Sequence, residues 1–332
     1  MQSSSFFKGR RVLVAGGTGM VGRQLAALLL ERGAVVRIAS LDDPSRALPG
    51  TEFRRANLTR FDECLDVCSG MEIVFNLAGV KGSPAMTSKK PASFFVPVLL
   101  FNTNLMEAAR QAGVGRYLYT STVGVYAPAE VFREDDVWST FPSPNDKFAG
   151  WAKRMGELQA EGYAIEYGWE GISIVRPANI YGPYDNFDPN NAMVIPSLIR
   201  RAVDGENPFV VWGDGSPVRD FIHARDVALG MLLAVEKGIR EPINLGSGVG
   251  ITIRELVEII VGNLDHRPEI VWDTSKPAGD RKRVMDLTRA RSHGFEPTVS
   301  FAEGIREVMD WYRANKGVAE KRYNVFTADK PV

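Results

Sequence analysis

Cysteine and histidine are scarce in this chain: two and three, respectively, among 332 residues. Cys64 and Cys68 stand four apart on a predicted helix with no His or Cys partner nearby. They read as ordinary thiols in a reducing cytoplasm, and no metal is expected. His266 and His293 sit in polar loops without ligand spacing. An excess of one charge is also lacking, since 40 basic residues balance 40 acidic ones. Neither nucleic acid nor a membrane surface is therefore an expected partner. Long apolar runs are missing too. The N-terminal MQSSSFFKGRR has no signal-peptide core, and the most apolar window, Phe94 to Phe101, is short and broken by Pro97. No stretch is expected to span a bilayer, and a cytoplasmic protein of one or two domains with a large core is expected.

What the chain does have is a stretch from Arg11 to Ser40, RVLVAGGTGMVGRQLAALLLERGAVVRIAS. Val12 to Val14 read as a buried strand, Gly16, Gly17, Gly19 and Gly22 as a turn, and Val21 to Leu30 as a helix stopped by Gly33. Val35 to Ala39 read as a second strand. Strand, glycine turn, helix and strand in this order suit a dinucleotide. Glycine lets backbone approach a pyrophosphate, and the helix N-terminus offers free N–H groups to it.

Further strands are predicted at Glu52–Ala56, Glu72–Asn76, Tyr117–Ser121 and Ile172–Arg176, with helices at 60–68, 91–111 and 149–167. Such alternation predicts an α/β fold with a doubly wound parallel sheet, whose ligands sit beyond the strand C-termini. After Pro177 the pattern changes. Val210 to Trp212 and Ile243 to Gly246 read as strands, and Phe221 to Val235 as a helix. Thr252 with Glu255 forms a capping box for a helix over 253–263, and Ala302 to Arg313 is the last helix. The expected division is a Rossmann domain over 8–177 plus about 219–247. A smaller discontinuous α/β substrate-binding domain takes about 178–218 plus 248–316, and a tail over 317–332 reads as a surface extension or oligomer contact.

Six segments in order, GGTGMVG, NLAG, TSTVGVY, RPANIYGP, SPVRDFIHARDVA and INLGSG, resemble the extended short-chain dehydrogenase/reductases, specifically the nucleotide-sugar epimerase group. YGPYDNFDPNNAMVIPSLIRRAV and KPAGDRKRVMDLTRA are most similar to the GDP-L-fucose synthases within it. The resemblance implies hydride exchange between a sugar carbon and a nicotinamide, NAD or NADP. In that group a Tyr handles the sugar's proton, and a Lys four residues on holds the nicotinamide ribose and lowers the Tyr pKa. Carried onto this chain, the catalytic positions are Thr122, Ala149 and Lys153.

The Tyr position thus holds alanine, which cannot relay a proton. Either a tyrosine was replaced in this sequence or the relay was lost naturally. Gly150, Lys153 and Glu157, as the group has them, favour replacement. Low turnover is expected in either case. The acidic pair of a dehydratase is absent after Thr122, where Val123 and Gly124 stand. Gly124 and Asp188 replace the Cys and His that a double epimerisation would use. C4 epimerisation or reduction of a 4-keto sugar remains, with a GDP-sugar favoured over a UDP-sugar.

The resemblance further implies cofactor contacts from Gly16, Thr18, Gly19, Met20, Val21 and Gly22 in the turn, and from Ser40 and Asp42 after the second strand. Others are Asn57 and Leu58, then Leu77, Ala78 and Gly79, and also Thr120, Lys153, Pro177 and Ile180. Ser40 leaves room for a 2′-phosphate, whereas Asp42 would repel one, so NAD against NADP stays open. Substrate contacts are expected from Lys81, Thr122, Val123, Asn179, Val194, Arg219 and Arg281. Arg219 suits a diphosphate, though it could instead pair with Asp220 or Asp226. Arg281, Lys282 and Arg283 read equally as phosphate contacts or a solvated run. The expected partners are a nucleotide diphosphate sugar and a second copy of the chain. Alternatives are a decarboxylase or dehydratase of the same fold, and a catalytically silent sensor of the cofactor.

Overall fold

The computed structural model describes residues 5–80, 82, 84–276, 280–317, 323 and 326. The first half alternates strand and helix: β1 (Arg11–Ala15), α1 (Met20–Glu31), β2 (Val35–Ser40), β3 (Glu52–Arg55), α2 (Phe61–Cys68) and β4 (Ile73–Asn76). Then follow α3 (Pro84–Lys89), α4 (Pro91–Gln111), β5 (Arg116–Thr120), β6 (Val131–Phe132), α5 (Lys147–Tyr167) and β7 (Ile172–Pro177). The second half holds β8 (Asn179–Tyr181), α6 (Val194–Val203), β9 (Phe209–Trp212), β10 (Val218–His223), α7 (Ala224–Lys237), β11 (Ile243–Leu245) and β12 (Gly250–Thr252). It ends with α8 (Ile253–Gly262), β13 (Ile270–Asp273), β14 (Lys282–Met285), α9 (Thr288–Ser292) and α10 (Phe301–Ala314).

Seven strands form one parallel sheet in the order β11-β7-β5-β4-β1-β2-β3. The alternation of side chains explains why both faces are covered. Val12, Val14, Phe75, Leu118 and Val175 point to one side, beneath α1 and α7. Leu13, Val74, Tyr117, Tyr119 and Ile174 point to the other, beneath α2, α4 and α5. A strand buried on both faces is apolar, as Ile73 to Phe75 of β4 are, and its one polar residue, Asn76, is fully hydrogen-bonded. The chain reverses direction across the sheet at β1, so the ends of β1 and β4 open a crevice there.

A second, five-stranded sheet has β10 at its centre. β12 is antiparallel to one edge of β10, β14 runs parallel on the other and carries β6, and β8 pairs with residues Phe221–His223. β9 and β13 form a parallel pair, and α6, α8 and α10 close a third apolar cluster around Phe187, Phe209 and Phe221.

Three expectations fail. The helix expected from Phe221 begins at Ala224, because Phe221 to His223 complete β10. The His223 imidazole then caps α7 by accepting from the Arg225 N–H at 3.4 Å. His223 is buried in an edge-on contact with Tyr181, which is a structural role. The second failure concerns length. α4 is a helix of 21 residues, long and apolar enough to cross a membrane by those measures, yet half of it is buried in this fold. The third is the tail, in which Phe326 is buried rather than on the surface; most of 317–332 lies outside the described residues.

Candidate active site and cofactor cleft

A cavity of about 530 Å³ opens at the C-terminal ends of β1, β2, β4 and β5. Its floor is the glycine turn, and the geometry there is set by protein packing. Gly16 has φ +77°, and a Cβ on it would lie 2.8 Å from the Leu77 carbonyl oxygen. A Cβ on Gly22 would lie 2.3 Å from the Gly16 oxygen, so α1 presses directly on the turn. Gly19 is the α1 N-cap and supplies no side-chain cap, which leaves the first N–H groups of α1 facing the cavity floor. Met20, Val21 and Gly22 line the same wall.

On the β2 side, Thr18 and Ser40 hydroxyls lie 2.8 Å apart, and Thr18 donates to Asp42 Oδ2 at 2.7 Å. Arg46 stands 3.5 Å from that oxygen, and the Tyr323 N–H donates to Oδ1 at 3.0 Å. Asn57, whose Oδ1 accepts from the Thr59 N–H and hydroxyl, lines this end with Leu58. On the β4 side, buried Asn76 donates to Asn102 and Tyr117, both at 3.0 Å, and accepts from the Ala78 N–H. That network fixes the turn Leu77-Ala78-Gly79 at the cavity wall. Val98 is buried and lines the cavity one turn before Asn102, whose amide bonds the Val98 carbonyl at 2.8 Å.

The other end of the cavity is built by α5 lying against β5. Two glycines let it approach: a Cβ on Gly150 would meet the Gly124 oxygen at 2.3 Å, and one on Gly156 the Tyr119 hydroxyl at 2.2 Å. Ala149 and Lys153 therefore face the cavity one turn apart, beside Thr120 and Thr122. Thr122 accepts from the Gly124 N–H at 3.2 Å. The Lys153 ammonium stands 5.1 Å over the Tyr119 ring, and burial pulls its pKa down to about 7, against the pull of Glu157 the other way. Beneath them, Ser121 donates to Glu157 at 2.5 Å, and Glu157 pairs with Arg176 at 2.7 Å with both side chains 2% exposed or less. Arg176 also reaches the Tyr126 hydroxyl, which donates to Asn244 at 2.5 Å.

The residues fit a dinucleotide: a compact glycine turn, open helix N–H groups, an acid beyond β2 and a lysine at the far end. Residues 12–246 match the NAD dependent epimerase/dehydratase family. The chain belongs to that family. It is 34% identical over 327 residues to the probable GDP-L-fucose synthase 1 of Oryza sativa subsp. japonica, covering 95% of both chains. Its fold matches epimerase Mth375 of Methanothermobacter thermautotrophicus with a TM-score of 0.85 at 26% identity, covering 97% of each chain. The UDP-glucose 4-epimerase of Thermotoga maritima, solved with UDP-glucose, matches with a TM-score of 0.81 at 28% identity, covering 92% of this chain and 99% of that one. The cofactor of this epimerase/dehydratase chain is NAD or NADP.

Several residues expected at the site stand outside the cavity. Pro177 is buried at the end of β7, Val123 packs against the core, and Val194 opens α6 at the surface. Asn179 donates to the Asp220 carbonyl at 2.9 Å, holding β8 on β10. Arg219 pairs with neither Asp220 nor Asp226. Asp220 accepts from the N–H groups of Ser247, Gly248 and Met285, and Asp226 from those of Thr298 and Val299. Arg219 donates instead to the Val218 and Asp280 carbonyls at 2.9 and 2.6 Å. The basic run divides: Arg281 is exposed, Lys282 faces Glu130, and Arg283 pairs with Asp146 and Asp280. Lys81 lies outside the described residues. Ile180 does line the cavity, as do Asp188, Asn186, Met231 and Tyr323. Sequence reasoning missed the last in particular, because nothing local marks a tail residue as part of a cleft more than 280 positions away.

Proposed function

We propose that the chain is a nucleotide-sugar epimerase or 4-keto reductase that acts at one sugar carbon, with slow turnover because position 149 is alanine. When bound, the nicotinamide ring supplies or accepts the hydride. Thr122 offers its hydroxyl to the sugar oxygen, and Lys153 holds the ribose and bears the positive charge beside that oxygen. With alanine at 149, Lys153 is the titratable cation beside Thr122, and its pKa of about 7 lets it exchange a proton near neutrality. The observation that carries this reading is the alignment of Thr122, Ala149 and Lys153 along one cavity wall.

Arg219 and the exposed Arg281 are the proposed contacts of the sugar's diphosphate, and a GDP-sugar is favoured over a UDP-sugar by the rice relative. The protein acts in the cytoplasm as a homodimer. Support for pairing comes from exposed Phe148, Met155, Leu158 and Ile165, spaced by seven, three and seven on α5, next to exposed Val96 and Leu100 of α4. The deciding experiment is stopped-flow absorbance of the nicotinamide with GDP- and UDP-sugars, run on the chain and on Ala149→Tyr. Hydride transfer to or from at least one sugar is expected in both. Its absence in both, with folded protein that binds cofactor, rejects the function.

A further inference from the structure

Two residues near the C-terminus stand at the mouth of the cofactor cleft. Tyr323 lines the cavity, and its backbone N–H donates to Asp42 Oδ1 at 3.0 Å. Three residues on, Phe326 is 5% exposed and belongs to the apolar cluster that holds Phe94, Val98 and Phe101 of α4. Its carbonyl accepts from Lys90 Nζ at 2.8 Å. Its ring lies 3.1 Å from where a Cβ on Gly82 would be, which makes that glycine part of its seat.

The anchors lie on both sides of the glycine turn. Asp42 follows β2 and Gly82 follows β4, and these two strands flank β1 in the sheet. Asp42 is the acid placed to meet the adenosine ribose of a dinucleotide. Its Oδ2 is already held by Thr18, and the tail's N–H takes Oδ1. The cavity of about 530 Å³ has Tyr323 in its wall, so that residue borders the space without filling it. The Tyr323 side chain, 39% exposed, has no hydrogen bond among the described residues and is free to pack on a planar base.

We propose that Tyr323 is a cofactor-binding residue that packs against the adenosine half of the dinucleotide, with Phe326 as the anchor that holds it there. An aromatic ring against a base typically changes affinity by about tenfold. The tail therefore acts chiefly on how long the cofactor stays.

The test uses the full chain. NADH and NADPH are titrated by fluorescence, and their release is timed by stopped flow, for the parent, Tyr323→Ala and Phe326→Ala. Both variants are expected to release cofactor about tenfold faster. ADP-ribose should weaken by a similar factor, while nicotinamide mononucleotide binds as before. If Phe326→Ala does not fold, Lys90→Met removes the anchor's hydrogen bond at the surface and should hasten release in the same direction. Unchanged release in folded Tyr323→Ala overturns the proposal. So does tighter cofactor binding in the variants, since the tail would then be an obstruction, and so does equal weakening of both half-ligands.

Discussion

Alanine at 149 has no hydroxyl, and it stands on regular helical backbone. α5 runs unbroken from Lys147 to Tyr167, so a tyrosine there would cost only a few tenths of a kcal/mol in helix propensity. General acid–base catalysis contributes about 10² to 10⁴-fold. Ala149→Tyr is therefore expected to raise single-turnover hydride transfer by a factor in that range, with cofactor affinity unchanged. An equal rate in the two proteins would mean that the proton already has another carrier. Lys153 offers its own test in the protein without ligands. Its folded pKa, about 7, lies below the ordinary 10.5 because burial disfavours the charge. Between those values the unfolded chain binds more protons than the folded one, so stability rises with pH from about 7 towards 10. Below about 7 both states are charged and the destabilisation is constant. Scanning calorimetry should show that rise in melting temperature, and Lys153→Met should flatten it.

At the scale of the element, the cavity wall that carries Ala149 and Lys153 depends on how α5 is held to β5 and β7. Glu157 and Arg176 form an ion pair sealed from solvent, joined by Ser121 and Tyr126. Breaking such a pair from one side leaves a buried charge without its partner. Glu157→Gln should cost about 3–5 kcal/mol in urea unfolding, with hydride transfer reduced as well because Thr122 follows Ser121. A shift below about 1 kcal/mol would mean that water reaches Arg176 in the variant. Much of this scaffold was legible in the sequence. The apolar runs of β1, β4 and β7 and the full span of α4 declared themselves by period, and the Thr252–Glu255 capping box has the expected bonds at 3.0 and 2.7 Å. β10 was not legible, because its last residue is also a helix cap, and histidine is outside the usual capping set. The five-stranded sheet was hidden for another reason. Its strands are two to six residues long and take their partners from distant parts of the chain. The cleft residues on the glycine turn could be named from spacing, whereas Tyr323 could not. No local pattern encodes a contact between a tail and Asp42.

Over the whole molecule, α4 and α5 leave an apolar stripe uncovered on the side away from the sheet. A stable pairing of two copies would bury about 1,200–2,000 Å² in total, an area that two such helices from each copy can supply. Leu158→Glu places a charge at the middle of the stripe. Light scattering after size exclusion should give a dimer for the parent and a monomer for the variant, and a monomer for both would rule out this interface. The way the second sheet is assembled has a consequence of a different kind, in the order of synthesis. β6 at Val131–Phe132 pairs with β14 at Lys282–Met285, and Asn244 is the last member of the polar network below the site. A ribosome adding roughly 5–20 residues per second needs on the order of 10–30 s to cover the intervening stretch of about 150 residues. For that interval the glycine turn and β1 to β5 are already made, while β6 has no strand to join. Lys153, Ile180 and Tyr323, which also line the cleft, are made after the glycine turn, so the cleft is completed in stages, with Tyr323 last.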